Sequence, residues 1–202
     1  MMKATLNDII QNAIKNSISY DVYVDLVNTL VENEDTSGEV KSDSLVNYTM
    51  LNQRRLKRWN KTIKVTEEAS AAVKNIQKSL LVLVITESWC GDAAHVMPAV
   101  QKLIAHNNQI EMRVVFRDEN PDLMDQFLTN GSRSIAKFII LDKDTLEVRS
   151  TYGPRPSEAT KLVNEYKEVH GHLTPEFKED LQRWYNKDKG QTTIVDFMKI
   201  LK

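Results

Sequence analysis

A short apolar run that leads into a lone cysteine constrains the fold of this chain more than any other feature. Residues 80–85 are six consecutive apolar side chains, half of them β-branched, with polar residues on both sides. Such a run predicts a strand that is buried on both faces. A Trp-Cys-Gly-Asp segment follows at 89–92, and the residues after it predict an alanine-rich helix that contains Pro98. Cys90, the only cysteine, is therefore expected at a strand-to-helix turn, facing backbone N–H groups that have no partner inside the helix.

The segments that follow Cys90 alternate between helix and strand. As far as His170, the predicted order is strand, helix, strand, helix, strand, strand, helix. β-branched runs bounded by turn residues predict the strands, a short polar turn predicts a hairpin, and proline suits the first turn of a helix. The predicted bounds after the Cys90 helix are Ile110–Arg117, Pro121 to about Leu128, Ile135–Leu141, Leu146–Tyr152 and Ser157 to about Val169.

Trp89, Cys90, Gly91 and Pro98 resemble the active-site segment of the thioredoxin superfamily. The family motif is Trp-Cys-Gly-x-Cys with a helix-kinking proline eight residues after the first cysteine, and these four residues match it at the right spacing. Thioredoxin-like families with a Trp-Cys-Gly-Asp motif look closer to this chain than thioredoxin itself does. The resemblance covers about ninety residues. It implies an α/β thioredoxin-like fold, a mixed central sheet with helices on both faces.

Amphipathic helices are predicted on both sides of this core, as helical extensions that pack on it. We expect an N-terminal extension over residues 1–70, a thioredoxin-like core over 71–170 and a C-terminal extension over 171–202. The apolar residues expected on the buried face are Val22, Leu26, Val27, Leu30 and Val31 in the second helix and Leu45, Tyr48, Leu56 and Trp59 in the third. Three of the predicted helices span Val22–Val31, Asp43–Asn60 and Thr66–Lys78. The first helix is expected to begin at a capping pair of Thr5 and Asp8, and the last two at the N-caps Thr174 and Thr193.

Three departures from the thioredoxin pattern change the expected chemistry. Ala93 stands where the resolving cysteine belongs, so a dithiol disulfide reductase acting alone is excluded. Val84 occupies the position of the central-strand carboxylate that assists proton transfer in the family. Ala136 replaces the cis-proline, and a cis bond before a residue other than proline costs about 2.5–4 kcal/mol. The Ile135–Ala136 bond is therefore expected to be trans, unless its surroundings compensate for that cost.

Two functions for Cys90 stay open at this point. In the first, a monothiol thioredoxin-like protein, Cys90 is the candidate nucleophile in a turn formed with Trp89, Gly91 and Asp92. It would exchange with protein thiols or small-molecule thiols, with glutathione or a similar thiol as co-substrate and no other cofactor, or be oxidised as a sensor. This function requires an accessible thiol with a lowered pKa, which the helix N-terminus favours and Asp92 opposes.

The second function is a redox-inactive, protein-binding module with the thioredoxin fold, in which the surface over Cys90 is covered or carries an apolar patch. Fold analogy does not choose between the two, because this fold hosts both enzymes and binding proteins. The retained Trp-Cys-Gly segment favours the first. The candidate substrate-binding residues are Ile135, Ala136, Arg133 and Arg155, and the two arginines belong with Arg117 and Lys137 to a predicted cationic rim near Cys90.

Composition narrows the expected partners and location. The formal net charge is −1, and the basic run from Arg54 to Arg58 is expected to be a solvated face balanced by Glu67 and Glu68, so nucleic acid is not an expected partner. No membrane span or secretory signal is visible, and a single cysteine fits a reducing compartment, so a cytoplasmic protein is expected. The histidine pair in His170-Gly-His172 does not predict a metal site. The oligomeric state stays open.

Overall fold

The computed structural model describes residues 4–201, which form nine helices and five strands. The strands are β1 (Ile18–Ser19), β2 (Leu80–Thr86), β3 (Ile110–Phe116), β4 (Lys137–Asp142) and β5 (Val148–Tyr152). The helices are α1 (Leu6–Lys15), α2 (Tyr20–Glu32), α3 (Asp43–Thr62), α4 (Glu67–Lys74), α5 (Gly91–Ile104), α6 (Pro121–Gln126), α7 (Ser157–His170), α8 (Pro175–Asp188) and α9 (Gln191–Ile200). Within this part of the chain, no helix is both long and apolar enough to cross a membrane.

The five strands form one mixed sheet in the order β1-β3-β2-β4-β5. β2 runs parallel to β3 and antiparallel to β4, so that Val84 lies between Val114 and Phe138. All seven residues of β2 are buried. Because successive side chains of a strand point to opposite faces, both faces of the sheet are covered at its centre. The predicted α/β fold with a mixed central sheet is confirmed.

Helix α5 begins after the turn that follows β2, and it packs against other elements on several sides. Ten of its fourteen residues are buried, Pro98 among them. It contacts β3 and also α3, α4 and α9. Helices from before and after the core therefore pack against the helix that begins at Cys90.

Local sequence signals predicted the start of α1 but not that of α9. The capping box between Thr5 and Asp8 is present. The last helix does not begin at Thr193, which is buried, but at Gln191, after Gly190 with a φ of 78°. A Cβ on Gly190 would lie 2.9 Å from the Cβ of Ala99 in α5. Close packing between distant helices therefore sets this boundary, and such packing has no local signature.

The buried faces of α2 and α3 match the prediction at Val27, Leu56 and Trp59 but differ from it at two other residues. Val22 and Tyr48 are 49% and 45% exposed. In their place, Tyr23 is buried in α2, and the polar Thr49 and Asn52 are buried in α3. Buried polar side chains need hydrogen-bond partners, and these two find them at the end of β2. A search for a hydrophobic stripe cannot recognise a helix face of this kind.

The peptide bond between Ile135 and Ala136 is cis, so the prediction of a trans bond is wrong. The bond lies just before β4, and Ala136 is fully buried. Its carbonyl oxygen lies against Gly153, where a Cβ would clash with it, and Gly153 has a φ of 101°. The prediction considered only the free-energy cost of a cis bond before alanine. In the structure this segment packs against the backbone at Gly153, and the sequence around Ala136 does not indicate that contact.

Candidate functional site

Cys90 lies at the N-cap position of α5, four residues after the end of β2. Its backbone N–H donates to the carbonyl oxygen of Glu87 at 3.1 Å, and its own carbonyl oxygen accepts from the N–H of Ala94 at 3.3 Å. This is the predicted strand-to-helix turn. The residue is only 6% exposed, however, so the thiol is buried.

Burial raises the pKa of the Cys90 thiol to about 12, and the nearby carboxylate of Asp92 acts in the same direction. The N–H of Ala93, the hydroxyl of Thr86 and the charge of Arg155 favour the thiolate, but they do not outweigh the loss of solvent. The helix N-terminus therefore does not activate this cysteine. Monothiol chemistry requires an accessible thiol with a lowered pKa, and neither is present here.

Asp92, in the first turn of α5, is held by residues from the C-terminal part of the chain. One carboxylate oxygen accepts the phenol of Tyr185 in α8 at 2.8 Å, and the other pairs with the guanidinium of Arg155 at 2.9 Å. Burial raises the pKa of Asp92, although Arg155 and Tyr185 both favour its ionised form. Tyr185, which is 3% exposed, thereby covers the turn that carries Cys90.

His95, one turn further along α5, joins three helices. The indole N–H of Trp59 in α3 donates to its Nδ1 at 2.8 Å, and its Nε2 lies 2.8 Å from the side-chain oxygen of Gln182 in α8. Nδ1 is therefore an acceptor and Nε2 carries the proton, which defines a neutral imidazole. The ring also stacks on Tyr185, with a centroid distance of 4.2 Å. The contacts of His95 with Gln182 and Tyr185 hold α8 against the turn. Because the ring is neutral, it supplies no positive charge to Cys90.

We expect His95 to stay neutral far below the pH at which an exposed histidine titrates. Burial lowers its pKa to about 3 from 6.5. Because the folded-state pKa is below the unfolded one, the contribution to stability is complete above pH 6.5 and is lost as the pH falls towards 3. Nitrogen NMR shifts of His95 should report the Nε2-protonated neutral ring at pH 5. Titration of the folded protein near 6.5 would contradict this.

A matched variant isolates this contribution to stability. His95→Gln has no titratable ring, so its free energy of unfolding should fall less steeply than that of the wild type between pH 6.5 and pH 4. Urea unfolding at several pH values measures the difference. Equal slopes in the two proteins would show that His95 does not titrate differently in the folded and unfolded states.

The loop between α2 and α3 contacts the opposite side of the turn through buried hydrogen bonds to Ser88. The hydroxyl of Ser88 lies 2.8 Å from that of Thr49 and 3.2 Å from that of Thr36, and it accepts the N–H of Ser37 at 2.9 Å. The carbonyl oxygen of Ser88 accepts the side-chain amide of Asn52 at 2.9 Å. These contacts attach the loop and α3 to the segment that connects β2 with Cys90.

Glu87 belongs to the same buried junction. Its carboxylate accepts the hydroxyl of Ser37 and, at 3.0 Å, the backbone N–H of Asp118. Burial raises the pKa of Glu87 even though both hydrogen bonds favour the ionised form. The carbonyl oxygen of the same residue lies 3.5 Å from the phenol of Tyr23. Glu87 therefore joins three segments and is not exposed as a proton donor or acceptor for a substrate.

Ser88→Ala is expected to cost about 1–3 kcal/mol of unfolding free energy, because it leaves the N–H of Ser37 without its acceptor and removes one of the hydrogen-bond partners of the buried Thr36 and Thr49 hydroxyl groups. Urea unfolding measures this loss. Ser70→Ala removes a hydroxyl that contacts only the exposed ring of His106, so it should change stability by less than about 0.5 kcal/mol. Equal losses in the two variants would contradict the locking role of Ser88.

The predicted cationic rim is largely neutralised by contacts within the chain. Arg117 pairs with Asp118 at 2.8 Å and lies over the ring of Trp89, with 4.9 Å from its guanidinium carbon to the ring centroid. Arg133 forms two hydrogen bonds of 2.6 Å with Asp125. The remaining two members are Arg155, which is paired with Asp92, and Lys137, which is 7% exposed with its amine 3.2 Å from the Thr129 hydroxyl.

The candidate residues therefore differ in how they relate to Cys90. Trp89, Gly91 and Asp92 form the turn with Cys90, and Arg155 contacts the turn through Asp92. Arg133 is paired with Asp125 instead. Ile135 and Ala136 are 9% and 0% exposed, so they offer little surface to a ligand. Among residues 4–201, no group of three or more potential ligands is placed to hold a metal ion.

Several residues that shape the site were not predicted from the sequence. Arg55 reaches the turn from α3, with its Nη1 3.4 Å from the position that a Cβ on Gly91 would occupy. Tyr23 and Tyr185 come from helices more than sixty residues away from Cys90 along the chain. The one available signal was the pair of polar residues, Thr49 and Asn52, that interrupts the apolar face of the third helix.

Comparison with known proteins agrees with this architecture. Two solved structures are similar over nearly the whole chain. One is a protein of unknown function from Pseudomonas aeruginosa, with 14% identity over 98% of this chain and 97% of that chain and a TM-score of 0.67. The other is an HIV epitope scaffold, with 13% identity over 94% of this chain and 95% of that chain and a TM-score of 0.65. At these identities the likeness shows the fold alone.

No curated protein sequence matches the chain. A family model described as thioredoxin matches residues 38–167, from the loop before α3 into α7. The match spans well over half of the chain and includes the Cys90 turn. The chain therefore belongs to the thioredoxin family.

Proposed function

We propose that this chain is a redox-inactive member of the thioredoxin family that acts as a protein-binding module. The observation that carries the proposal is the environment of Cys90. Its thiol is buried in a turn that Tyr23 and Tyr185, from the helices before and after the core, contact at Glu87 and Asp92, and its pKa is raised to about 12. A thiol in this state is protonated near neutral pH and is not presented to a disulfide.

The rest of the exchange machinery is also missing or occupied. Ala93, at 0% exposure, fills the position of a resolving thiol, and Val84 fills that of the strand carboxylate. The carboxylates nearest to the turn belong to Glu87 and Asp92, and both already accept hydrogen bonds from within the chain. The carboxylate of Glu87 is buried and that of Asp92 is largely buried, so neither is open to a substrate.

The alternative is monothiol exchange or sensing through Cys90. In that reaction the Cys90 thiolate attacks a disulfide, forms a mixed disulfide and releases one thiolate, and a small thiol then regenerates the cysteine. The retained Trp89-Cys90-Gly91 segment supports this alternative, but the reaction needs the thiolate to form and to reach its substrate. Burial of the thiol disfavours formation of the thiolate and limits access to it. The hydrogen bond that holds Tyr185 against Asp92 limits access further.

Glutathione disulfide distinguishes the two functions. The folded protein, incubated with it at pH 7.4, should show no glutathione adduct by intact mass spectrometry in the time that fully modifies the chain unfolded in urea. Cys90→Ser, which cannot form the adduct, defines the background. Adduct formation in the folded protein at a rate close to that of the unfolded chain would overturn the proposal and support monothiol chemistry.

A further inference from the structure

Helix α3 carries a run of cations with no acidic residue among them. Between Asp43 and Glu67 the sequence contains no Asp or Glu. The described ion pairs involve nine other Lys or Arg residues, and none of them joins a cation of this interval to Glu67 or Glu68. The cations of the interval are Arg54, Arg55, Lys57, Arg58, Lys61 and Lys64.

The exposed face of α3 combines these cations with apolar side chains. Leu51, Arg54, Arg58 and Lys61 follow one another at i, i+3, i+7 and i+10, which places them on one face of the helix. Leu51 is 43% exposed, and Tyr48 beside it is 45% exposed. These two residues place apolar surface beside the exposed cations of the helix.

This face is continuous with the Cys90 turn. The guanidinium of Arg55 lies against Gly91 and is held by the side-chain oxygen of Asn52 at 2.8 Å. Arg58 donates to the side chain of Asn186 in α8 at 2.8 Å, next to the Tyr185 that covers Asp92. The cations of α3 therefore border the end of the sheet at which the candidate site lies, on a helix fixed by the buried Leu56 and Trp59.

We propose that the outer face of α3 binds an acidic protein segment that carries apolar or aromatic residues. The inference rests on the proposed binding function and names its partner chemistry. The exposed Arg54, Lys57 and Lys61, which belong to none of the described ion pairs, attract a segment of opposite charge. Tyr48 and Leu51 add apolar contact area for the apolar or aromatic residues of that segment. Nucleic acid fits less well, because Trp59, the aromatic residue within the basic run, is 3% exposed and donates to His95, which leaves Tyr48 as the one ring of α3 on which a base could stack.

The test uses fluorescein-labelled random copolymers and fluorescence anisotropy on the full chain. The probe is a copolymer of glutamate and tyrosine, which presents acidic and aromatic side chains in many registers. Polyglutamate and a single-stranded oligothymidylate are the comparison probes. We expect the mixed copolymer to bind at least about tenfold more tightly than either comparison probe, with an affinity that falls as salt concentration rises.

Variants locate the binding surface. Arg54→Glu/Lys57→Glu should weaken copolymer binding about tenfold or more, and Tyr48→Ala/Leu51→Ala about threefold or more. The matched control Lys74→Glu/Lys78→Glu makes the same change in net charge at exposed lysines of α4 and the loop after it, and should weaken binding by less than about twofold. No copolymer binding at low salt, equal loss in the control, or tighter binding of the oligonucleotide would each overturn the inference.

Failure of this inference and failure of the proposed function give different results. If the copolymer does not bind while Cys90 stays unreactive towards glutathione disulfide, the partner chemistry is wrong and the redox-inactive site stands. If Cys90 reacts in the folded protein, the proposed function fails whether or not α3 binds the copolymer.

Discussion

Iodoacetamide is expected to alkylate Cys90 of the folded protein about a thousandfold more slowly at pH 8 than Cys90 of the chain unfolded in urea. The reagent reacts with the thiolate, and a pKa of about 12 in place of 9.0 reduces the thiolate fraction about a thousandfold near neutral pH. Burial of the residue adds steric protection to this effect. Intact mass spectrometry over time measures both rates on the same sample.

The pH dependence separates a raised pKa from simple burial. The folded-state rate should rise about tenfold for each pH unit up to at least pH 10 without levelling, whereas the unfolded chain should level off around pH 9. Cys90→Ser shows the background from other nucleophiles. A folded-state rate that levels off below pH 8.5 would mean that the helix N-terminus activates the thiol after all.

Tyr185→Ala is expected to have the second large effect, because it removes the cover from the turn. The substitution deletes a ring that is 3% exposed and stacked on His95, together with the hydrogen bond to Asp92. Replacing a large buried aromatic residue by alanine costs about 3–5 kcal/mol. Alkylation of Cys90 in the folded variant should also become at least about tenfold faster than in the wild type, since solvent then reaches the turn.

Tyr185→Phe is the matched control for that variant. It keeps the ring over the turn and loses the hydrogen bond to a charged group, so it should cost about 1.5–3 kcal/mol and leave the alkylation rate close to that of the wild type. The unfolding free energies of both variants give the fraction of globally unfolded molecules. The alkylation rate that this fraction accounts for can then be subtracted from the observed rate. If Tyr185→Ala reacts no faster than Tyr185→Phe after this subtraction, Tyr185 does not cover Cys90.

The sequence predicted the core of the fold well because each core element has a strong local pattern. The apolar run of β2 and the turn into α5 both lie where expected, and the mixed sheet follows. The element that escaped prediction is β1, two residues long, which pairs with β3. A strand this short has no periodicity to detect.

The candidate site was harder to predict because its environment is built from distant segments. The sequence placed Cys90 at a helix N-terminus, which by itself favours a thiolate. Tyr185, nearly one hundred residues later, and the loop around Thr36 bury the turn, and burial outweighs the effect of the helix. Since no local pattern announces which side chains will cover a given turn, the protonation state of Cys90 could not be read from the sequence.

The most direct test of the central claim is the pKa of Cys90 itself in the folded protein. The chemical shift of its Cβ carbon differs between the thiol and the thiolate. Selective carbon-13 labelling of the single cysteine therefore follows its titration without interference from tyrosine, which ordinarily titrates in the same pH range. We predict no titration of this signal below pH 10, in accord with a pKa raised to about 12 by burial. A midpoint below 8.5 in the folded protein would contradict the account and identify Cys90 as an activated thiol.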